Sequence, residues 1–136
     1  MKKNLKILLA DDDSDDSAFF KEVLTTIEPS AELIIVNNGR SAIEHLTRLG
    51  ISHLPCAVIL DYNMPLMKAP EVLDWMKARS WYDSVQRFVW STSDSEEFRV
   101  DCLAKGAVHY FQKPTTVPGL VDILHEIMKC CEMAVR

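Results

Sequence analysis

Short apolar runs alternate along the chain with longer stretches whose apolar residues recur at helical spacing. The runs are Leu5 to Ala10, Leu33 to Asn37, Cys56 to Leu60, Phe88 to Trp90 and Val108 to Phe111, and each predicts a strand. The stretch Ser14 to Glu28 predicts a helix with Phe19, Phe20, Val23, Leu24 and Ile27 on one side. Ser41 to Leu49 predicts a second. Glu71 to Ala78 predicts a third, with Val72, Leu73, Trp75 and Met76 as its apolar side. Asp94 to Lys105 and Val117 to Met133 predict two more, the last facing a core through Val121, Leu124, Ile127, Met128 and Cys131. The punctuation agrees: Pro29 stops the first helix, Asn38-Gly39 reads as a turn, and Gly50 and Gly106 close the second and fourth helices.

Strands that alternate with helices imply a parallel sheet covered on both faces, an α/β sandwich. The strand runs are almost continuously apolar, as strands buried on both sides require. A chain of 136 residues suits a single domain, 1–136, with its core from about residue 5 to about residue 133 and no effector domain. In such a sheet, ligands bind at the carboxyl ends of the strands.

Composition narrows the function. At 48% hydrophobic and 26% charged, the chain is a globular fold, and its net charge of -5 argues against a nucleic-acid surface. No apolar run is long enough to span a membrane. Ile7 to Ala10 is too short for a signal peptide and runs into aspartates. Cys56, Cys102, Cys130 and Cys131 form no C-x-x-C pair and share no metal spacing with a histidine. They fit a reduced, cytoplasmic protein with inert thiols. His45, His53, His109 and His125 read as surface or satisfied histidines.

The carboxyl-end rule then selects the chemistry. Strand one ends at Asp11-Asp12, strand three at Asp61, strand four at Ser91, and strand five near Lys113-Pro114. Crowded aspartates repel one another unless a cation binds among them. A hard divalent cation with oxygen ligands does this, magnesium being the expected one. Asp61 would be the nucleophile, forming an aspartyl-phosphate. The cation, the Lys113 ammonium and the Ser91 hydroxyl would neutralise charge on the transferring oxygens. Asp13, Ser14, Asp15 and Asp16 read more plainly as the start of the first helix, where such residues satisfy free N–H groups.

The segments Leu8-Leu9-Ala10-Asp11-Asp12-Asp13, Val58-Ile59-Leu60-Asp61-Tyr62-Asn63-Met64-Pro65, Val89-Trp90-Ser91-Thr92 and Gly106 to Pro114 resemble, in order, those of response-regulator receiver domains. Ser91 to Asp94 and the stretch near Trp81 are similar to stand-alone regulators of the phytochrome-associated type. The resemblance implies a CheY-like, flavodoxin-like sheet, doubly wound, with strand order 2-1-3-4-5. It implies Asp61 as phosphoacceptor, Asp12 ligating magnesium directly, Asp11 acting through water, and the Asn63 backbone carbonyl as a further ligand. Ser91 and Tyr110 would form the switch, and Lys113-Pro114 a cis peptide. A sensor histidine kinase or a histidine phosphotransfer protein would donate the phosphoryl group in a two-component phosphorelay. An unidentified protein, with neither nucleic acid nor membrane, would read the output, and a homodimer is possible on family grounds.

One stretch departs from the pattern. Lys68-Ala69-Pro70 stands where the family has Asp or Asn followed by Gly, and an altered loop is expected there, because Ala tolerates a left-handed backbone poorly. Pro70 would open the following helix at its first turn. Two other functions compete. A phosphatase with an aspartyl nucleophile wants a second carboxylate two residues on, where Asn63 stands. A receiver fold kept only for its surface would not need Asp11, Asp12, Asp61, Ser91 and Lys113 together.

Overall fold

The computed structural model describes residues 4–135, so Met1, Lys2, Lys3 and Arg136 lie outside it. The elements run β1 (Lys6–Ala10), α1 (Ser14–Ile27), β2 (Glu32–Val36), α2 (Gly39–Arg48), β3 (Ala57–Asp61), α3 (Ala69–Lys77), β4 (Gln86–Ser91), α4 (Glu96–Ala104), β5 (His109–Gln112) and α5 (Val117–Val135). Short 3-10 turns at Ile51–His53 and Ser80–Tyr82 lead into β3 and β4. All strand pairs are parallel, in the order β2-β1-β3-β4-β5. The doubly wound α/β/α architecture is therefore the one expected, with element ends moved by a few residues.

Alternation along the strands divides the core in two. Leu8, Ala10, Val58, Leu60 and Val89 face one layer with Ala42 and Leu46 of α2, Val72, Leu73 and Met76 of α3, and Cys102 of α4. Ile7, Leu9, Ile59, Phe88 and Trp90 face the other, with Phe20, Val23 and Leu24 of α1 and Leu120, Leu124 and Ile127 of α5. Neighbouring residues on a strand point to opposite faces, so a strand buried on both must be apolar throughout. All five residues of β3 are buried. The edge strand β2 departs from this expectation: Ile34 and Ile35 are exposed, because only β1 pairs with it.

Two loop expectations change. Asn38 is not a turn residue: its side chain accepts a hydrogen bond from Ser41 N–H, which caps α2 and starts that helix at Gly39. The loop after β3 does carry a left-handed residue, but it is Leu66 (φ 68°) rather than Ala69. Ala69 is already helical, and Pro70 sits in the first turn of α3, where its missing N–H costs no helical bond. A side chain at Gly39 would collide with the Met67 carbonyl oxygen, so glycine is what lets α2 begin against this loop.

Candidate active site

The sheet register carries the acidic residues to one edge. Ala10 pairs with Val36 and with Leu60, so Asp11 and Asp61 emerge side by side from the two central strands. Asp61 pairs with Trp90, and Ser91 with Gln112, which leaves Ser91 and Lys113 on the next two strand ends. The Lys113 N–H donates to the Ser91 carbonyl at 2.6 Å and extends this pairing by one residue.

Lys113 is the electrostatic hub. Its Nζ lies 2.7 Å from Asp16 Oδ2, 2.9 Å from Asp11 Oδ2 and 3.6 Å from Asp61 Oδ2. The Asp11 side chain is fully buried, and Oδ2 has no partner besides this ammonium. Its other oxygen accepts from Asp13 N–H at 2.8 Å. Burial pushes the Asp11 carboxyl up, against the pull of Lys113. Asp61 is pushed up to about 7, first by burial and then by the charge of Asp11, with Asp12 adding to it and Lys113 opposing. Burial works against the Lys113 ammonium, yet Asp16, Asp11 and Asp61 outweigh it and hold the proton more tightly than usual.

Carboxylate oxygens of Asp11, Asp12 and Asp61 lie within 4.8 Å of one another. One ammonium cannot neutralise these and Asp16 together. A buried Asp11 oxygen that relies on a shared ammonium, and an Asp61 carboxyl pushed up to about 7 by burial and its acidic neighbours, are features that a divalent cation at this site would relieve. The all-oxygen donor set fits a hard cation, and exposed Asp12 leaves the site open to solvent.

The remaining expected residues fall beside this pocket. Ser91 is buried at the end of β4, and its Oγ accepts from Ser93 N–H at 3.1 Å. Tyr110 is buried, and its hydroxyl donates to the Ser93 carbonyl at 2.8 Å, so strand β5 is tied to the same loop that holds Ser91. Asn63 lies two residues beyond Asp61 with its side chain exposed. The Lys113–Pro114 bond is trans, since no cis peptide occurs among the described residues. The trans form is the lower in energy for X-Pro by about 0.5–1 kcal/mol, and here Lys113 reaches all three carboxylates from it.

Asp16 is the site residue that its sequence position disguised. Asp13 does the capping, accepting from the Asp15 and Asp16 N–H groups, which frees the Asp16 side chain for Lys113. The four cysteines are free thiols, two of them buried and two half-buried. The Cys56 thiol donates to the Lys6 carbonyl at 3.2 Å, and burial pushes the Cys102 thiol up to about 11. Cys130 approaches His109 and Glu126.

Comparison with known proteins agrees with this fold. The profile of the response regulator receiver domain matches residues 7–125. The response regulator Rcp1 of a Synechocystis species is 33% identical over 127 residues, covering 89% of this chain and 84% of that protein. The nitrate/nitrite response regulator NarL of Escherichia coli is 31% identical over 120 residues, and the match spans only about half (53%) of its length. Among solved structures, the phosphorylated cyanobacterial phytochrome response regulator RcpA superposes with a TM-score of 0.82 at 25% identity, over 93% of each chain. The manganese-bound form of Rcp1 does so with a TM-score of 0.78 at 27% identity, over 92% of each.

Proposed function

As the chain belongs to the response regulator receiver family, whose general function is phosphorylation on an aspartate, we propose that Asp61 is the phosphoacceptor of this protein and that magnesium supports the transfer. Receiver domains take their phosphoryl group from histidine kinases or histidine phosphotransfer proteins. The observation that carries the residue assignment is the convergence of Lys113, Asp11 and Asp61 at the carboxyl edge of the sheet.

Asp11, Asp12 and Asp61 would hold the cation, with the Asn63 carbonyl next in reach along the chain. Bound there, magnesium supplies charge neutralisation for the phosphoryl oxygens and keeps the Asp61 carboxyl ionised at neutral pH. An Asp61 oxygen forms the new bond to phosphorus while the bond to the donor imidazole nitrogen breaks, and the imidazole leaves with its electron pair. Lys113 stands 3.6 Å from Asp61 and neutralises one developing negative charge. The Ser91 hydroxyl, now engaged with its own loop, would turn to a phosphoryl oxygen, and Tyr110, hydrogen-bonded to that loop, would follow it. Such a change is a shift between two populations driven by a local charge. Water attack on the acyl phosphate ends the signal in the same pocket.

Acetyl phosphate with magnesium tests the assignment. The intact protein should gain the mass of one phosphoryl group, and Asp61→Asn should gain none; equal labelling of the variant refutes it. Magnesium titration has a built-in reporter. The Lys113 ammonium lies 5.2 Å over the buried Trp90 ring, so cation binding should change Trp90 fluorescence. The likeness to Rcp1 and to the phytochrome response regulator RcpA makes a phytochrome-type kinase the first protein donor to assay.

A further inference from the structure

A second constellation lies away from the acidic pocket, between β5 and α5. His109 Nε2–H donates to Glu126 Oε1 at 3.0 Å, and the Cys130 thiol points at the same oxygen from 3.9 Å. The nitrogen, oxygen and sulfur all lie within 4.8 Å of one another. We propose that His109, Glu126 and Cys130 form a binding site for a thiophilic divalent cation of the zinc class, independent of the phosphoacceptor pocket.

The elements make this arrangement without strain. Glu126 and Cys130 are four residues apart on α5, so they project from one helix face. The imidazole of His109 is braced by rings, 6.2 Å from Phe88 and 5.5 Å from Phe111 between centroids. All three residues are half-buried, which leaves an approach from solvent and a fourth position for water.

The dimensions fit. Zinc bonds of about 2.0–2.3 Å to nitrogen, oxygen and sulfur put tetrahedral ligands about 3.3–3.7 Å apart. The two observed separations, 3.0 and 3.9 Å, bracket that range. The third, from the imidazole nitrogen to the sulfur, is within 4.8 Å, so rotamer shifts of about an ångström would close the set.

The chemistry discriminates between the two sites. Thiolate and imidazole donors suit zinc, cobalt or copper, while magnesium seeks oxygen. Two donor protons now converge on one carboxylate oxygen. An entering cation displaces the thiol proton to solvent, leaving the sulfur as thiolate, while the neutral imidazole moves its single proton from Nε2 to Nδ1 and presents Nε2 to the metal. Burial and the Glu126 charge hold the Cys130 thiol protonated without metal, and a cation between them reverses the effect of that charge.

Cobalt(II) added to the reduced protein tests the proposal, because only sulfur coordination gives a thiolate-to-cobalt charge-transfer band. The band should appear at one cobalt per chain and be displaced by zinc. It should vanish in Cys130→Ala, weaken in His109→Gln, and persist in Cys56→Ala. No band, or a band that survives Cys130→Ala, overturns the proposal. Magnesium-induced fluorescence change in Cys130→Ala shows that a lost band is not simply lost folding. Cobalt bound at the aspartates would give no sulfur band, so the two sites cannot be confused.

Discussion

The acidic pocket and the His109-Glu126-Cys130 cluster are built on opposite principles. The pocket concentrates like charges in a buried place and holds them with a single ammonium, Lys113, whose side chain is only 8% exposed. The cluster sets three different donors at a half-exposed seam, where His109 and Glu126 already satisfy each other. The pocket is therefore tense without a cation, and the cluster is relaxed without one. Burial decides the difference, since a charge pair is worth most, and its loss costs most, where water cannot replace a partner.

The largest effect should come from Lys113→Ala. It strands the buried Asp11 carboxylate, and in chelator at neutral pH it should cost about 3–5 kcal/mol in urea unfolding. Magnesium should restore part of this loss. A variant as stable as the parent would mean that the pocket carboxylates share protons rather than rely on the lysine.

Asp61→Asn should act in the other direction. Without a cation, folded Asp61 keeps its proton up to about pH 7, whereas the unfolded chain releases it near the ordinary value of 3.8. Between these values the folded state binds more protons, so stability falls as pH rises through the window, and the deficit is complete above it. At pH 8 in chelator, Asp61→Asn should therefore gain about 2–4 kcal/mol, and the slope between pH 4 and 7 should flatten. Unchanged unfolding curves across that range would show that Asp61 is not crowded.

The seam should respond least. Glu126→Gln and His109→Gln in chelator should each change stability by about 1 kcal/mol or less, as exposed pairs do. Added zinc should raise the melting temperature of the parent and not that of Cys130→Ala. A large metal-free loss in Glu126→Gln would erase the contrast with the pocket.

The sequence made one of these regions legible and hid the other. Asp11, Asp61, Ser91 and Lys113 could be found because each follows an apolar run, and parallel strands bring all such ends to one edge. Tyr110 and Asn63 came with the family pattern rather than with any local signal. Asp16 was hidden by its company: among acidic residues at a helix start, nothing in the sequence separates the capping Asp13 from the neighbour that reaches Lys113. His109 and Glu126 are 17 residues apart, and their meeting depends on how α5 crosses β5. The exposure of β2 is likewise a property of its place at the sheet edge, since its run of branched residues reads like that of a central strand. The trans Lys113–Pro114 bond follows from no residue in its neighbourhood, because an X-Pro pair admits both isomers.

Gly39 carries a consequence for how this protein can vary. Because α2 starts flush against the Met67 carbonyl, the two loops mesh like adjacent gear teeth. A substitution at position 39 would be felt first in the segment leading from Asp61 to Lys68, far along the chain but in touch with it. Drift in Lys68-Ala69-Pro70 is thereby confined to changes that leave the Met67 carbonyl in place. Mutational scanning should find position 39 intolerant and position 68 permissive, two neighbours in space with contrary evolutionary freedom.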